Sequence, residues 1–143
     1  MFKFVRLLCL MLVVGCGNGL IPIKTAPVSG SATFDGKPLE NYKVFFYCEA
    51  SEAMEPSTGL VGSDGTFKMT VRNPGDGVIV GMNKVWLTYD PPMPEQKAGM
   101  ETAWNPPPAK VKLPQKFMSG DTSGVTVEVS ASGLTGYKLE LKP

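Results

Sequence analysis

The chain contains no histidine. That absence excludes a Ser-His-Asp triad, a Cys-His pair and histidine-ligated zinc from within it. Its three cysteines, Cys9, Cys16 and Cys48, are too few for a disulfide framework. The 14 basic and 13 acidic side chains nearly balance, and no basic cluster occurs. Nothing therefore indicates nucleic acid as a partner, and nothing indicates an electrostatic membrane patch. No apolar run reaches the ~20 residues that a membrane-spanning helix requires. No Asp-x-Asp-x-Asp-Gly calcium loop is present. The glycines follow strand-like runs with no helix behind them to supply N-terminal amides, so a phosphate-cradling loop is also excluded. The sequence thus predicts no cofactor and no metal.

What is present begins at the N-terminus. Lys3 and Arg6 precede an apolar run, Leu7 to Val14, which leads through Gly15 into Cys16. The run has the length of a signal-peptide core. A glycine directly before a cysteine at its end resembles the lipobox of a bacterial lipoprotein. The resemblance implies cleavage between Gly15 and Cys16, loss of residues 1–15, and a diacylglyceryl group on the Cys16 thiol. The freed amine can then take a further acyl chain such as palmitate. One acyl chain, at ~0.8 kcal/mol per buried methylene, anchors only marginally, whereas two or more hold stably. The expected localisation is outside the cytoplasm, with Cys16 anchored by lipid in the cell membrane or outer membrane. Gly17, rather than an acidic residue, follows Cys16 and points to the inner membrane. The plain alternative is an ordinary secretory signal that leaves Cys16 as a free thiol. Residues 16–27 read as a lipidated tether.

Residues 28–143 read as one domain of ordinary size. Its segments alternate with period two, and no helical stripe of useful length occurs. Val28 to Phe34 leads into Asp35-Gly36, a strong hairpin turn. Tyr42 to Cys48, Thr58 to Ser63, Thr66 to Val71, Met82 to Tyr89, Val125 to Val129 and Tyr137 to Leu141 supply the other strands. About seven short strands separated by turns predict an all-β fold, a single β-sandwich. The expected core is Val28, Phe34, Val44, Phe46, Phe67, Met69, Val85, Leu87, Val127, Val129, Leu139 and Leu141. Cys48 alternates onto the face of Val44 and Phe46 and is expected to be buried. Residues 90–116 hold seven of the 13 prolines. Proline lacks the ladder donor, so this stretch cannot be a central strand and reads as a long exposed excursion.

The wording of the strands resembles a known family. "PVSGSATFDGKPLENYKVFFY", "GLVGSDGTFKM" and "NPGDGVIVGMNKVWL" are similar to successive segments of a carboxypeptidase-regulatory-like, transthyretin-like domain. Such domains commonly follow the lipobox in small planctomycete-type envelope lipoproteins. The likeness covers the lipobox and most of residues 28–143, apart from the proline-rich stretch. It implies an Ig-like, Greek-key sandwich that serves as an accessory, non-catalytic module. Hydroxyisourate hydrolases share the fold, but their histidines and their C-terminal Tyr-Arg-Gly-Ser have no counterpart in Leu141-Lys142-Pro143. Asn83 stands where the family often has an inward tyrosine, Tyr42 where a small residue is usual, and Phe117 where tyrosine is common. A buried Asn83 would need hydrogen-bond partners, and Tyr42 could fill part of the space.

Asp35, Asp64 and Asp76 sit beside glycines and read as turn residues. Glu49, Glu52 and Glu55 form a small acidic loop, and residues 119–124 a loop rich in oxygen atoms. The best recognition candidates are aromatic. Trp86 alternates opposite Val85 and Leu87, and Tyr47 and Phe45 lie opposite Val44 and Phe46. Trp104 precedes three consecutive prolines. Exposed rings of this kind stack on sugars or on proline-rich peptides, or else Trp86 and Trp104 pack together and pin the long loop. The expected function is that of a membrane-anchored, non-enzymatic binding or scaffold module for an envelope protein or glycan. A self-associating structural or adhesion component is the alternative, and a carboxylate-only hydrolase a remote one.

Overall fold

The computed structural model describes residues 19–95 and 103–143. The described residues contain ten strands and a single 3-10 turn, Gln115–Met118, with no α-helix. In one sheet the central strand is β2 (Val28–Phe34). It pairs in parallel with β10 (Leu134–Leu141) along one edge. Along its other edge it pairs antiparallel with β3 (Lys37–Pro38) and β6 (Thr66–Lys68). The second sheet is antiparallel throughout, in the order β5 (Ser57–Leu60), β4 (Tyr42–Cys48), β8 (Gly81–Tyr89), β9 (Val125–Val129). A short ribbon joins β1 (Thr25–Ala26) to β7 (Val78–Ile79). The inner faces of the four-stranded sheets contribute to one hydrophobic cluster. The architecture is all-β and consistent with a β-sandwich.

The period-two reading places the core well. Every expected core residue is buried except Phe34, which is half-buried and meets the Phe117 ring edge-on at 6.3 Å. Phe34 is the last residue of β2, where the sandwich opens onto solvent. Cys48 is buried as expected, with its sulfur 3.8 Å from the Val80 carbonyl. Asp35 and Gly36 both take positive φ, 50° and 75°, as a two-residue hairpin turn between β2 and β3 requires. Asn83 is fully buried between the sheets. Its amide nitrogen donates to the carbonyls of Ile79 at 2.9 Å and Gly81 at 3.0 Å, tying off the corner where β7 turns into β8.

The proline-rich excursion is not uniformly exposed. Pro106 to Pro108 face solvent, but Leu113 and Phe117 are buried, and Ala109 and Val111 pack against the core. Tyrosines hold the run in place. Tyr42 projects inward at the start of β4, and its hydroxyl donates to the Val111 carbonyl at 2.8 Å and accepts from the Leu113 amide at 3.2 Å. Tyr89 donates to the Pro107 carbonyl at 2.9 Å, and the two tyrosine rings lie 5.3 Å apart. Burial pushes the Tyr42 hydroxyl above its ordinary pKa, against the lowering effect of the Leu113 amide. Tyr42 thus does more than fill space. It satisfies a backbone donor and a backbone acceptor that proline-rich chain cannot pair in a ladder.

The segment read as a tether is bound to the domain from Ile21 onward, while residues 16–18 lie outside the described residues. Val80 donates to the Lys24 carbonyl at 2.9 Å. Arg72 Nη1 donates to the Ile21 carbonyl at 2.8 Å, and its Nε and Nη2 both lie 2.5 Å from Glu55 Oε1. Gly77 is what lets this strap lie flat, because a Cβ there would stand 1.9 Å from the Ala26 carbonyl oxygen. Asp76 in turn positions Arg72. Its carboxylate accepts from the amides of Val71 at 2.8 Å, Arg72 at 3.0 Å and Asn73 at 2.8 Å. Partial desolvation works against the charge on Asp76, but those amides outweigh it and hold the carboxyl below the usual range.

Tyr42→Phe leaves the buried Leu113 amide unpaired and is expected to lower stability by about 1–3 kcal/mol in urea unfolding. Tyr89→Phe, which loses only an exposed bond, is expected to cost about 1 kcal/mol or less. For Asp76 the unfolded-state pKa of ~3.9 lies above the folded one. Its contribution is therefore complete above ~4 and disappears as the pH falls through the folded pKa. Asp76→Asn is expected to lose stability at neutral pH and to match the parent at the acid limit, in urea titrations at both.

Candidate functional site

The outer face of the β4–β8 pair carries the candidate site. The register sets Phe45 opposite Trp86 and Tyr47 opposite Lys84. Because side chains alternate, all of these point away from the core whose inner positions are Val44, Phe46, Val85 and Leu87. The Phe45 and Trp86 rings stack in parallel, 5.1 Å apart and 2° from coplanar orientation. This cross-strand stack fixes the indole on the sheet surface.

A wall rises beside it from the 3-10 turn and the loop that follows. Thr122 Oγ1 donates to the Lys116 carbonyl at 2.7 Å, and Ser123 donates its amide to the Ser119 carbonyl at 2.9 Å. The buried Ser123 hydroxyl donates to the Val85 carbonyl at 2.6 Å, which docks the loop onto β8. The oxygen atoms of residues 119–124 are thus partly used to close the loop on itself. Gly120 presses against the indole. A Cβ at that position would stand 2.9 Å from Trp86 Cε3, so close approach there requires glycine.

Between sheet and wall lies an open groove of about 300 Å³ lined by Tyr47, Glu49, Lys84, Trp86, Met118 and Asp121. Lys84 Nζ is 2.6 Å from Glu49 Oε1 and 3.7 Å from Asp121 Oδ1. The hydrogen bond that Lys84 donates to Glu49, followed by the charges of Glu49 and Asp121, raises the Lys84 pKa, so the lysine stays cationic. The groove therefore combines an aromatic floor, one ammonium and two carboxylates. Glu49 and Asp121 are 61% and 90% exposed and are both turned onto the same lysine. A glycosidase acid instead occupies an apolar setting that keeps it protonated. A larger depression of about 640 Å³, bordered by Ser29, Ser31, Thr66, Lys68 and Lys138, lies on the other sheet. It has no exposed aromatic ring.

The structure brings Tyr47, Phe45 and Trp86 together. It does not bring Trp104 to them. Trp104 is half-buried in the proline-rich run, is not part of the groove, and forms no ring pair with Trp86 among the described residues. The expected Trp86–Trp104 anchor is therefore replaced by the Tyr42 and Tyr89 hydroxyls, which hold the run at the Tyr89 end of β8. Gly15 and Cys16 lie outside the described residues. Lys84 escaped the sequence reading, in which Glu49 and Asp121 stood only as members of two separate polar loops. Alternation from Trp86 could have found Lys84, but the 119–124 wall reaches the groove only through tertiary contacts. Comparison with protein families, with characterised proteins and with solved structures finds no match for this chain.

Gly120→Ala is expected to displace the indole and to shift the fluorescence emission of Trp86, recorded in a Trp104→Phe background. The overpacking is expected to cost about 1–3 kcal/mol. An unchanged spectrum would mean that the wall does not rest on the ring.

Proposed function

We propose that the chain is a lipid-anchored, non-catalytic module of the cell envelope that binds a glycan through the groove beside Trp86. The observation that carries this reading is the fixed aromatic floor of Tyr47 and Trp86 flanked by Lys84, Glu49 and Asp121. The electron-rich face of an aromatic ring attracts the C–H edges of a sugar ring. Carboxylates accept from hydroxyl groups and the lysine donates to ring or hydroxyl oxygens. An open groove of this kind suits a polymer passing through rather than a small molecule enclosed on all sides. A proline-rich protein segment is the second occupant the same floor accommodates, since prolyl rings also lie flat on aromatic faces.

The Val13-Val14-Gly15-Cys16 sequence supports the anchor, with Cys16 acylated and the domain held in the cell membrane or outer membrane on its outward side. The family resemblance supports a transthyretin-like, Greek-key form of the sandwich and an accessory rather than catalytic role. The self-associating alternative is less favoured. The edge strand β10 is interrupted by a register shift between Leu134 and Tyr137 and carries exposed Lys138 and Glu140, features that blunt strand addition.

Fractionation with in-cell crosslinking tests both parts. Cys16→Ala is expected to move the tagged chain from the membrane fraction to the soluble one. Trp86→Ala, with Cys16 intact, is expected to stay in the membrane and to lose about tenfold or more of the crosslinked envelope glycan, the usual scale for a central aromatic contact. Membrane retention of Cys16→Ala would refute the anchor. Undiminished capture by Trp86→Ala would refute the groove.

A further inference from the structure

We propose that the end of the sandwich bearing Leu20, Ile21 and Met54 rests against the lipid bilayer that holds the anchor, leaving the proline-rich run at the far end. The inference builds on the acylated Cys16 proposed above and adds an orientation to it. The chain is fixed to the domain at Ile21, whose carbonyl accepts from Arg72, and again at Lys24, whose carbonyl accepts from Val80. Only the stretch from Cys16 to Ile21 is available as a tether, and such a stretch spans at most ~18 Å when fully extended. The Arg72 end of the domain must therefore stay within that distance of the membrane interface.

The surface found at this end suits a bilayer. Leu20 is 71%, Ile21 41% and Met54 73% exposed, three of the six exposed large hydrophobic side chains among the described residues, and Arg72 links the two segments that carry them by bonding both the Ile21 carbonyl and Glu55. Met54 precedes Glu55, the residue that grips Arg72, while Ile21 lines a depression of about 370 Å³ together with Ala50, Ser51 and Glu52. The neighbouring charges largely cancel. Arg72 is paired with Glu55, and the exposed Lys24 and Glu52 border the same depression. The contact is thus apolar rather than electrostatic. The anchor keeps the surface at high effective concentration at the membrane, so a weak contact is enough to bias orientation.

The other end follows from strand geometry. β8 starts at Gly81, beside the strap, and runs to Tyr89, whose hydroxyl holds Pro107. Eight steps along a strand cover ~26 Å. The run from Trp104 to Pro108 therefore projects away from the bilayer. Glu49 joins the loop that carries Met54 to the aromatic groove, so the groove opens on the membrane half of the domain.

The test uses the full acylated chain in phosphatidylcholine vesicles that contain a nitroxide-headgroup lipid. Each protein carries one bimane label, on Glu52→Cys or on Pro107→Cys, in a Cys48→Ala background. Flotation with the vesicles comes first, and failure to float counts against the Cys16 anchor rather than against the orientation. Among floating samples, the label at 52 is expected to lose most of its fluorescence and the label at 107 little. Adding Leu20→Ser and Met54→Ser is expected to reduce the loss at 52 toward that at 107. Equal quenching at both sites would overturn the proposal. So would quenching at 52 that survives the serine substitutions, or a label at 52 that is shielded from water yet unquenched, which would mean a second copy or another protein covers the patch.

Discussion

The pairing of β4 with β8 is the constraint on which the rest of the structure depends. Seven residues of each strand are in register, from Tyr42 opposite Tyr89 to Cys48 opposite Asn83. Strand geometry then divides the side chains between two environments. Tyr42, Val44, Phe46, Val85 and Leu87 enter the core, and Phe45, Tyr47, Lys84 and Trp86 form the outer floor. A slip of one residue would exchange those sets, bury the lysine and expose the core. The stability of the sandwich and the existence of the groove therefore have the same cause. Hydrophobic burial on the inner face selects the register, and the register in turn assembles the outer face.

The ends of that strand pair have different attachments. At the Tyr42–Tyr89 end, hydroxyl groups supply the hydrogen bonds that a proline-rich chain cannot find in a ladder. At the Cys48–Asn83 end, Asn83 closes the corner while the Arg72–Glu55 pair fastens the N-terminal strap. Asp76 connects the two levels, because its three amide contacts shape the loop that aims Arg72. Under the proposed lipid anchor, that polarity would commit one end to the membrane side and leave the other free, with the proposed glycan groove on the sheet between them.

Much of this was legible in the sequence, for a physical reason. Period-two alternation reports burial directly, so Val44, Phe46, Val85, Leu87, Val127 and Val129 could be placed without coordinates, and so could the outward Tyr47 and Trp86. The Asp35-Gly36 turn was equally legible because few residues tolerate its positive φ. Long-range pairing was not. Nothing local announces that β10 runs parallel to β2, that Tyr42 reaches Leu113 across half of the chain, or that residues 119–124 return to form a wall over Trp86. Trp104 misled for the same reason. Two tryptophans and a proline-rich loop suggest mutual packing, whereas the backbone needs of that loop are met by tyrosine hydroxyls. Arg72 was missed because its role depends on joining the 49–56 loop to a strap more than fifty residues earlier in the chain.

The proposed function requires that the floor beside Trp86 receive a glycan chain. The most direct measurement is a two-dimensional NMR titration of the mature chain, with Cys16→Ser for solubility, using oligosaccharides cut from envelope glycan. The two tryptophans give separate indole N–H signals. The Trp86 signal and the backbone amides of Tyr47, Lys84 and Gly120 are expected to shift together along one saturable curve while the Trp104 signal stays in place. No shift at any concentration, or shifts confined to Trp104 and the proline run, would contradict it.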